Sequence, residues 1–426
     1  MGYDHTNTYF NPVETAISVS TAPQLKEVWR VEVGGYPPGS PTVAGDKVYL
    51  MSTGGTYAFE LATGKEVWKR MDIGGTSTLA YDDDFLYMHA TAADPLYGNL
   101  YKLKASDGST VWGPVVTYDM ENCDGMSSPM LADGKVMVGH SCGVRELALD
   151  GTNKGPRGGV EAYDIETGNN VWTYWSVPDT GEDGAMSWST VSVDIEEKSV
   201  YVSTGNNYTI GGPHSDAIHK LDLASGMQLW VTQVRADDVW GLATGNVKDT
   251  DFGANPILAD FDGKKLVAAG DKNADFWAMD RSTGQVVWSR ERLTPSRSPA
   301  TGGVLNNGAF DGKRFYIASN DAATSTSVLY ALNPVDGTDV WKRDFPKLIW
   351  GSLSVANGVL VAPINDDLYV LNAETGAVLT MFNTGGTTAG GAAAIAQGKI
   401  VVKSGLSYAL NTTVLNNNDI ICYGLP

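Results

Sequence analysis

The stretch WAMDRSTGQVVW, Trp277 to Trp288, decides the fold: an alternating apolar strand runs into a Thr-Gly turn and ends on tryptophan. Alternation puts one face of the strand inward, Asp or Asn plus Gly supplies a hairpin turn, and the tryptophan opens the return strand. Copies read YAFELATGKEVW from Tyr57, YKLKASDGSTVW from Tyr101, EAYDIETGNNVW from Glu161, HKLDLASGMQLW from His219, YALNPVDGTDVW from Tyr330 and YVLNAETGAVLT from Tyr369. A further run of the same kind, YALNTT from Tyr408, stops short.

Working outward, two more strands precede each hairpin, as in SPTVAGDKVYLMST, SSPMLADGKVMVGH and ANPILADFDGKKLVAAG. The small Ser, Ala and Pro residues of the first strand suit a crowded axis. Successive tryptophans lie roughly 40 to 60 residues apart, the period of a four-stranded propeller blade rather than of a helical solenoid. At the N-terminal side, LKEVWRVEV carries Trp29 with no hairpin before it, while the run from Tyr408 has no tryptophan after it. A strand shared between the two ends closes a ring and leaves no open sheet edge. Tryptophan-type strands at 29, 68, 112, 172, 230, 288 and 341, with Leu379-Thr380 as the eighth, predict an all-β, eight-bladed propeller of four-stranded antiparallel blades. One domain spans 1–426, with 1–24 as an extended lead-in, and the blade of Trp29 contains Tyr408.

A net charge of −19 over 426 residues argues against a nucleic-acid or anionic-membrane surface as partner. No apolar run of about 18 residues spans a bilayer. Met1-Gly2 leads directly into polar sequence, so the chain is read as cytoplasmic or as beginning at its mature start. Three cysteines make no disulfide framework, and no C-x-x-C-H haem motif is present. The loops entering each first strand and leaving each second strand open on one end of the ring. The longest of them (115–127, 140–159, 205–217, 235–253 and 320–327) mark that end as the functional face.

GYDHTNTYFNPVETAIS, VYVSTGNNYT, ADDVW, DFGANPILADFDG, AAGDKNADFWAMD and GGVLNNGAFDG resemble the pyrroloquinoline quinone (PQQ)-type eight-bladed propellers, most closely the polyvinyl-alcohol-dehydrogenase-like quinoproteins. TGNN and DFGA are the more specific motifs. The Thr-Gly and Trp repeat is also similar to non-catalytic outer-membrane assembly propellers, so it speaks for fold before function.

The resemblance implies a site. Trp188 matches the tryptophan on which the quinone stacks, with inter-blade packing as the alternative. Asn206 of TGNN matches an asparagine ligand of calcium, or is a turn asparagine. Asp251, opening DFGA, matches the carboxylate that touches the metal and takes the alcohol proton, with Asp249 as competitor. Lys272 matches the cation on the quinone oxygens, Arg157 an arginine near the cofactor carboxylates, and Ser127 and Ser141 small hydroxyl donors. Two departures stand out. Val144 occupies the place of the calcium-binding glutamate, with Glu146 the nearest acid, and the adjacent Cys-Cys pair that covers the quinone is missing. Cys123 and Cys142 lie on loops of one face, either disulfide-bonded or as two buried thiols, and Cys422 is structural.

The reading implied is a PQQ- and calcium-dependent alcohol dehydrogenase, periplasmic or secreted unless cytoplasmic. It would oxidise a primary or secondary alcohol, small or polymeric, and pass electrons to a separate acceptor. The rival is a non-catalytic binding or assembly scaffold that kept the fold.

Overall fold

The computed structural model describes residues 3–93, 96–118, 123–143, 154–179, 181–236, 238–241, 249–295, 302–388, 390–405 and 417–426. Eight antiparallel sheets stand around one axis, seven of them four-stranded and one extended to five by a strand of the lead-in. Blades 1 to 8 begin at Thr42–Ala44, Ala80–Asp82, Met130–Ala132, Ser192–Asp194, Ile257–Phe261, Ala309–Phe310, Ser354–Ala356 and Ala394–Ala396. No helix among the described residues is long and apolar enough to cross a membrane.

The repeated Trp and Gly work as a pair between neighbouring blades. Each tryptophan donates its indole N–H to a carbonyl of the next blade's turn: Trp29 to Leu61 at 2.9 Å, Trp172 to Leu223 at 3.2 Å, Trp288 to Pro334 at 2.9 Å. The turn glycine lies flat against that ring. Gly337 has φ +73°, and a Cβ there would stand 2.5 Å from Trp288 Cε3, so both conformation and space demand glycine. Gly64, Gly108, Gly168, Gly226, Gly284 and Gly376 meet the preceding tryptophan in the same way.

A second device closes the ring at its inner edge. Ser40 N–H donates to Thr78 Oγ1 at 2.8 Å, Thr78 N–H to Ser128 Oγ at 2.9 Å, and Ser128 N–H to Thr190 Oγ1 at 3.2 Å. Thr190 N–H continues to Asn255 Oδ1 at 2.8 Å, Asn255 N–H to Asn307 Oδ1 at 2.7 Å, and Asn307 N–H to Ser352 Oγ at 3.2 Å. Ser352 N–H reaches Gly391 O at 3.3 Å, and Ala392 N–H returns to Ser40 Oγ at 2.8 Å. Every blade thus satisfies a buried donor of its neighbour.

The lead-in coils along the axis. His5 O accepts from Val193 N–H, Thr6 O from Leu258, Thr8 O from Phe310 and Tyr9 O from Val355, which are blades 4, 5, 6 and 7 in turn. Asn11 Nδ2 then donates to Ile395 O of blade 8 at 2.8 Å, and the Tyr9 hydroxyl accepts from Asn255 and Asn307 of the belt. Such a path, with left-handed φ at Asn7 (+54°) and Tyr9 (+52°), carries no periodicity for a sequence reading to find. A cavity of about 310 Å³ remains between the lead-in and the first strands of blades 7, 8, 1 and 2.

Ring closure corrects one expectation. Lys26–Glu32 does close blade 8, but its partner is Asp419–Gly424, with Trp29 opposite Cys422, rather than the run from Tyr408. Tyr408 lies outside the described residues. Ile420, Ile421, Cys422 and Tyr423 all bury between blades 7 and 1.

Two buried histidines tie the blades and set an acid limit. His89 donates from Nδ1 to Ser127 O at 2.9 Å and accepts the Thr117 hydroxyl on Nε2 at 2.8 Å. His219 Nδ1 lies 2.8 Å from the Tyr174 hydroxyl, and its Nε2 donates to His214 O at 2.9 Å. Burial pushes each ring down to about 4. Native His89 and His219 are therefore neutral while the unfolded chain protonates below about 6.5. Their stability contribution is complete above that value and is lost as pH falls toward 4, with a slope of about 1.4 kcal/mol per pH unit per ring. Urea midpoints at pH 7 and pH 5 should drop for the parent and drop less for His89→Gln and His219→Gln. Equal drops would contradict this reading.

Candidate functional site

The site forms where blades 4 and 5 meet, from loops that leave second strands and enter first strands. Ser199–Ser203 ends blade 4's second strand and releases Thr204-Gly205-Asn206; Lys264–Gly270 does the same in blade 5 and releases Asp271-Lys272. The stretch from Asp249 to Gly253 runs into blade 5's first strand between them.

Lys272 is the hub. Its Nζ lies 2.8 and 2.9 Å from the two oxygens of Asp249 and 2.7 Å from Asp251 Oδ2. The same ammonium stands 5.7 Å from the Trp188 ring centre and 5.9 Å from that of Trp240, within cation–π range. Asp251 Oδ1 accepts the Asn206 backbone N–H at 2.5 Å. Asn206 spends its amide nitrogen on the carbonyls of Trp240 and Asn207, each at 2.6 Å, which orients the amide; its Oδ1 accepts no hydrogen bond from the described residues.

The motif glycines have a direct reason. A Cβ on Gly205 of TGNN would stand 2.5 Å from Asp251 Oδ1, and one on Gly253 of DFGA 2.8 Å from Trp188 Cη2. Without them neither the carboxylate nor the indole could approach the backbone so closely.

The charge balance is acidic. Asp238 takes the Thr250 N–H and hydroxyl on Oδ2, at 2.8 and 2.6 Å, and leaves Oδ1 buried without a partner. Asp216 is completely buried and neither oxygen has a partner. Burial, then the charges of Asp238, Asp251, Asp271 and Asp249, push the Asp216 carboxyl well above the ordinary range. Burial and the Asp251 charge also push Asp249 up despite Lys272. Burial lowers Lys272, but Asp251 and Asp249 outweigh it and hold the ammonium above its usual range. Hard oxygens lacking donors beside a planar indole are a set that suits a cation together with a flat anionic ligand. Among the described residues no three His, Cys, Asp or Glu side chains gather at metal-binding distance, so such a cation needs amide, backbone or ligand oxygens as well.

The structure thus brings Trp188, Asn206, Asp251 and Lys272 together, with Asp249 beside them. Arg157 is not brought to this group: its guanidinium stacks 4.6 Å from Trp175 and donates to Val177 O and Asp179. Ser127 Oγ accepts the Gly139 N–H at 3.0 Å, and Ser141 O accepts the Asp124 N–H at 2.9 Å. Glu146 and Val144 lie outside the described residues. Cys123 and Cys142 form a disulfide, buried with Tyr118, Met186 and Tyr208 in a cluster against which Trp188 packs; Cys422 is a buried free thiol. Trp240, Asp238 and Asp216 were not singled out from the sequence. Only the ADDVW motif carried a signal for the first two.

Two family models match the chain. "Glucose/ethanol/alcohol dehydrogenase, beta-propeller domain" covers residues 104–306, and "Outer membrane protein assembly factor BamB" covers 16–114 and 277–416. A polyvinylalcohol dehydrogenase of Pseudomonas sp. is 26% identical over 94% of this chain and 72% of its own length. A polyvinylalcohol dehydrogenase of Sphingopyxis sp. (strain 113P3) is 28% identical over 76% of this chain and 56% of its own length. Among solved structures, the quinohemoprotein alcohol dehydrogenase ADHIIG of Pseudomonas putida HK5 superposes with a TM-score of 0.82 at 17% identity, covering 100% of this chain and 79% of that one.

Proposed function

We propose a specific activity for this chain, which belongs to the PQQ-type quinoprotein β-propeller family of oxidoreductases, polyvinyl-alcohol-dehydrogenase-like and sharing its repeat with the BamB-type assembly propellers: it is a PQQ- and calcium-dependent alcohol dehydrogenase. One observation carries this reading. Trp188, Asn206, Asp251 and Lys272 meet in the stretch matched by the alcohol dehydrogenase model, whereas the assembly-factor model matches blades that carry the repeat without these residues.

PQQ, when bound, supplies a two-electron acceptor, and calcium a Lewis acid. The Trp188 face and the Lys272 ammonium would hold the planar, anionic cofactor, and Asn206 Oδ1 with Asp251 would hold the metal. Asp251 is fixed by the Asn206 N–H and by Lys272, and takes the hydroxyl proton of the alcohol. Lys272 would offset negative charge on the bound cofactor. Arg157, Ser127 and Ser141 remain candidate cofactor contacts from the resemblance, and Glu146 a candidate ligand. A separate acceptor would receive the electrons. A periplasmic or secreted setting is supported by the Cys123–Cys142 disulfide.

Adding PQQ and Ca²⁺ to the purified protein should produce a bound-quinone absorbance and dye reduction dependent on alcohol. No PQQ binding at high micromolar cofactor with calcium present would reject the enzyme and favour the scaffold. Binding without turnover on primary and secondary alcohols would reject the substrate class.

A further inference from the structure

We propose that Asp216 is the third protein oxygen donor for the divalent cation at Asn206 and Asp251, standing in for the carboxylate that Val144 cannot supply; this rests on the quinoprotein reading above. Asp216 lies in the loop between the second and third strands of blade 4, and nothing in its sequence context, HSDAI, marks it. Its backbone is pinned: its N–H donates to Gly205 O at 3.0 Å and its carbonyl accepts from Val234 at 3.0 Å. The residue is held at φ +46°, a conformation that aspartate tolerates but does not favour.

That pairing puts Asp216 against Gly205, whose other side touches Asp251 and whose successor, Asn206, donates to the same Asp251 oxygen. Gly205 is therefore bonded to the Asp216 backbone, packed against the Asp251 carboxylate and followed directly by Asn206. Two of these neighbours have oxygen to spare: Asn206 Oδ1 accepts nothing from the described residues, and both Asp216 oxygens are buried with no partner. A buried carboxylate without a partner is strongly unfavourable unless a proton or a cation joins it. Lys272 is committed to Asp249 and Asp251. Arg235, the other cation close by, pairs with Asp271 and Asp275. Asp238 also leaves one oxygen unpaired, and its carbonyl accepts the Asn207 N–H at 3.1 Å. Two carboxylates and an amide carbonyl, completed by water and cofactor oxygens, reach the six to eight oxygens that calcium takes. Asn206 brings no acidic group, so this set agrees with the lack of any three-acid cluster among the described residues.

The test compares the parent with Asp216→Asn and Glu146→Gln. Each is titrated with Ca²⁺ and with Tb³⁺, whose luminescence the neighbouring Trp188 and Trp240 sensitise, in the presence and absence of PQQ. Thermal midpoints are taken in EDTA and in excess calcium. Asp216→Asn should have an EDTA midpoint equal to or above that of the parent, because it removes a buried carboxyl that has no partner. It should lose the calcium-induced rise and weaken cation affinity at least tenfold, while Glu146→Gln stays within about twofold of the parent. A purely structural Asp216 would instead lower the EDTA midpoint and leave cation affinity alone. The inference is overturned if Asp216→Asn keeps parental affinity, if Glu146→Gln carries the loss, or if the parent binds neither ion under any condition. PQQ binding without a cation would sink Asp216 and spare the quinoprotein reading; cation binding through Asp216 without PQQ would do the reverse.

Discussion

Asp251→Asn should lower kcat by about 10² to 10⁴-fold while PQQ affinity changes far less, the size expected when a positioned general base is removed. The carboxamide keeps an oxygen that can accept the Asn206 N–H, now 2.5 Å from Oδ1, and keeps the packing against Gly205. It loses the charge that draws a hydroxyl proton and faces Lys272 at 2.7 Å. Asp249 cannot substitute, because both of its oxygens are already on Lys272 and its carboxyl is held above the ordinary range by burial and by Asp251. Steady-state dye reduction and PQQ titration on parent, Asp251→Asn and Asp249→Asn decide the matter. If Asp249→Asn is the inactive variant and Asp251→Asn retains a tenth or more of the activity, the base is Asp249.

Trp288→Ala should destabilise the ring by about 3–5 kcal/mol, the cost of truncating a buried aromatic and leaving a cavity. Trp288 is 8% exposed, donates to Pro334 O of blade 6 at 2.9 Å, and sits 6.0 Å from the ring centres of both Phe276 and Phe315. Its loss opens the interface of blades 5 and 6 and leaves the Pro334 carbonyl unsatisfied. Gly337→Ala attacks the same contact from the other side, through its positive φ and the 2.5 Å approach to the indole. A urea midpoint shifted strongly at unchanged m would confirm the expectation. A change below about 1 kcal/mol in Trp288→Ala would show that the repeated tryptophan is not what joins the blades.

The blade was legible in the sequence because its signals are local. Strand alternation, a turn glycine at positive φ and the tryptophan behind it all fall within about a dozen residues and recur. Even the partnership of Trp288 with Gly337 is implied by repetition, since each copy must pack on the next. Asn206, Asp251 and Lys272 were implied by resemblance through the short motifs TGNN, DFGA and GDKN, whose glycines and loop ends let those groups meet.

The remainder was settled by contacts between distant segments. The belt uses Ser, Thr or Asn at positions such as Thr78, Thr190 and Asn307, because any small side-chain oxygen can accept the neighbouring N–H, so no consensus letter marks it. Asp419–Gly424 pairs with Lys26–Glu32 across almost the whole chain length, and its side chains bury between blades 7 and 1. The resemblance implies Arg157 as a cofactor contact, and its guanidinium rests on Trp175, an attraction visible only once two strands of blade 3 have paired. Asp216 is bonded through its backbone to Gly205 and excluded from water, and both belong to the folded ring. The sequence by itself determined the repeating blade and the motifs at its loop ends, since these depend on near-neighbour geometry. Only the tertiary structure decided which charges lie unpaired and which strand closes the ring, because burial and pairing energies exist only when segments hundreds of residues apart share one interior.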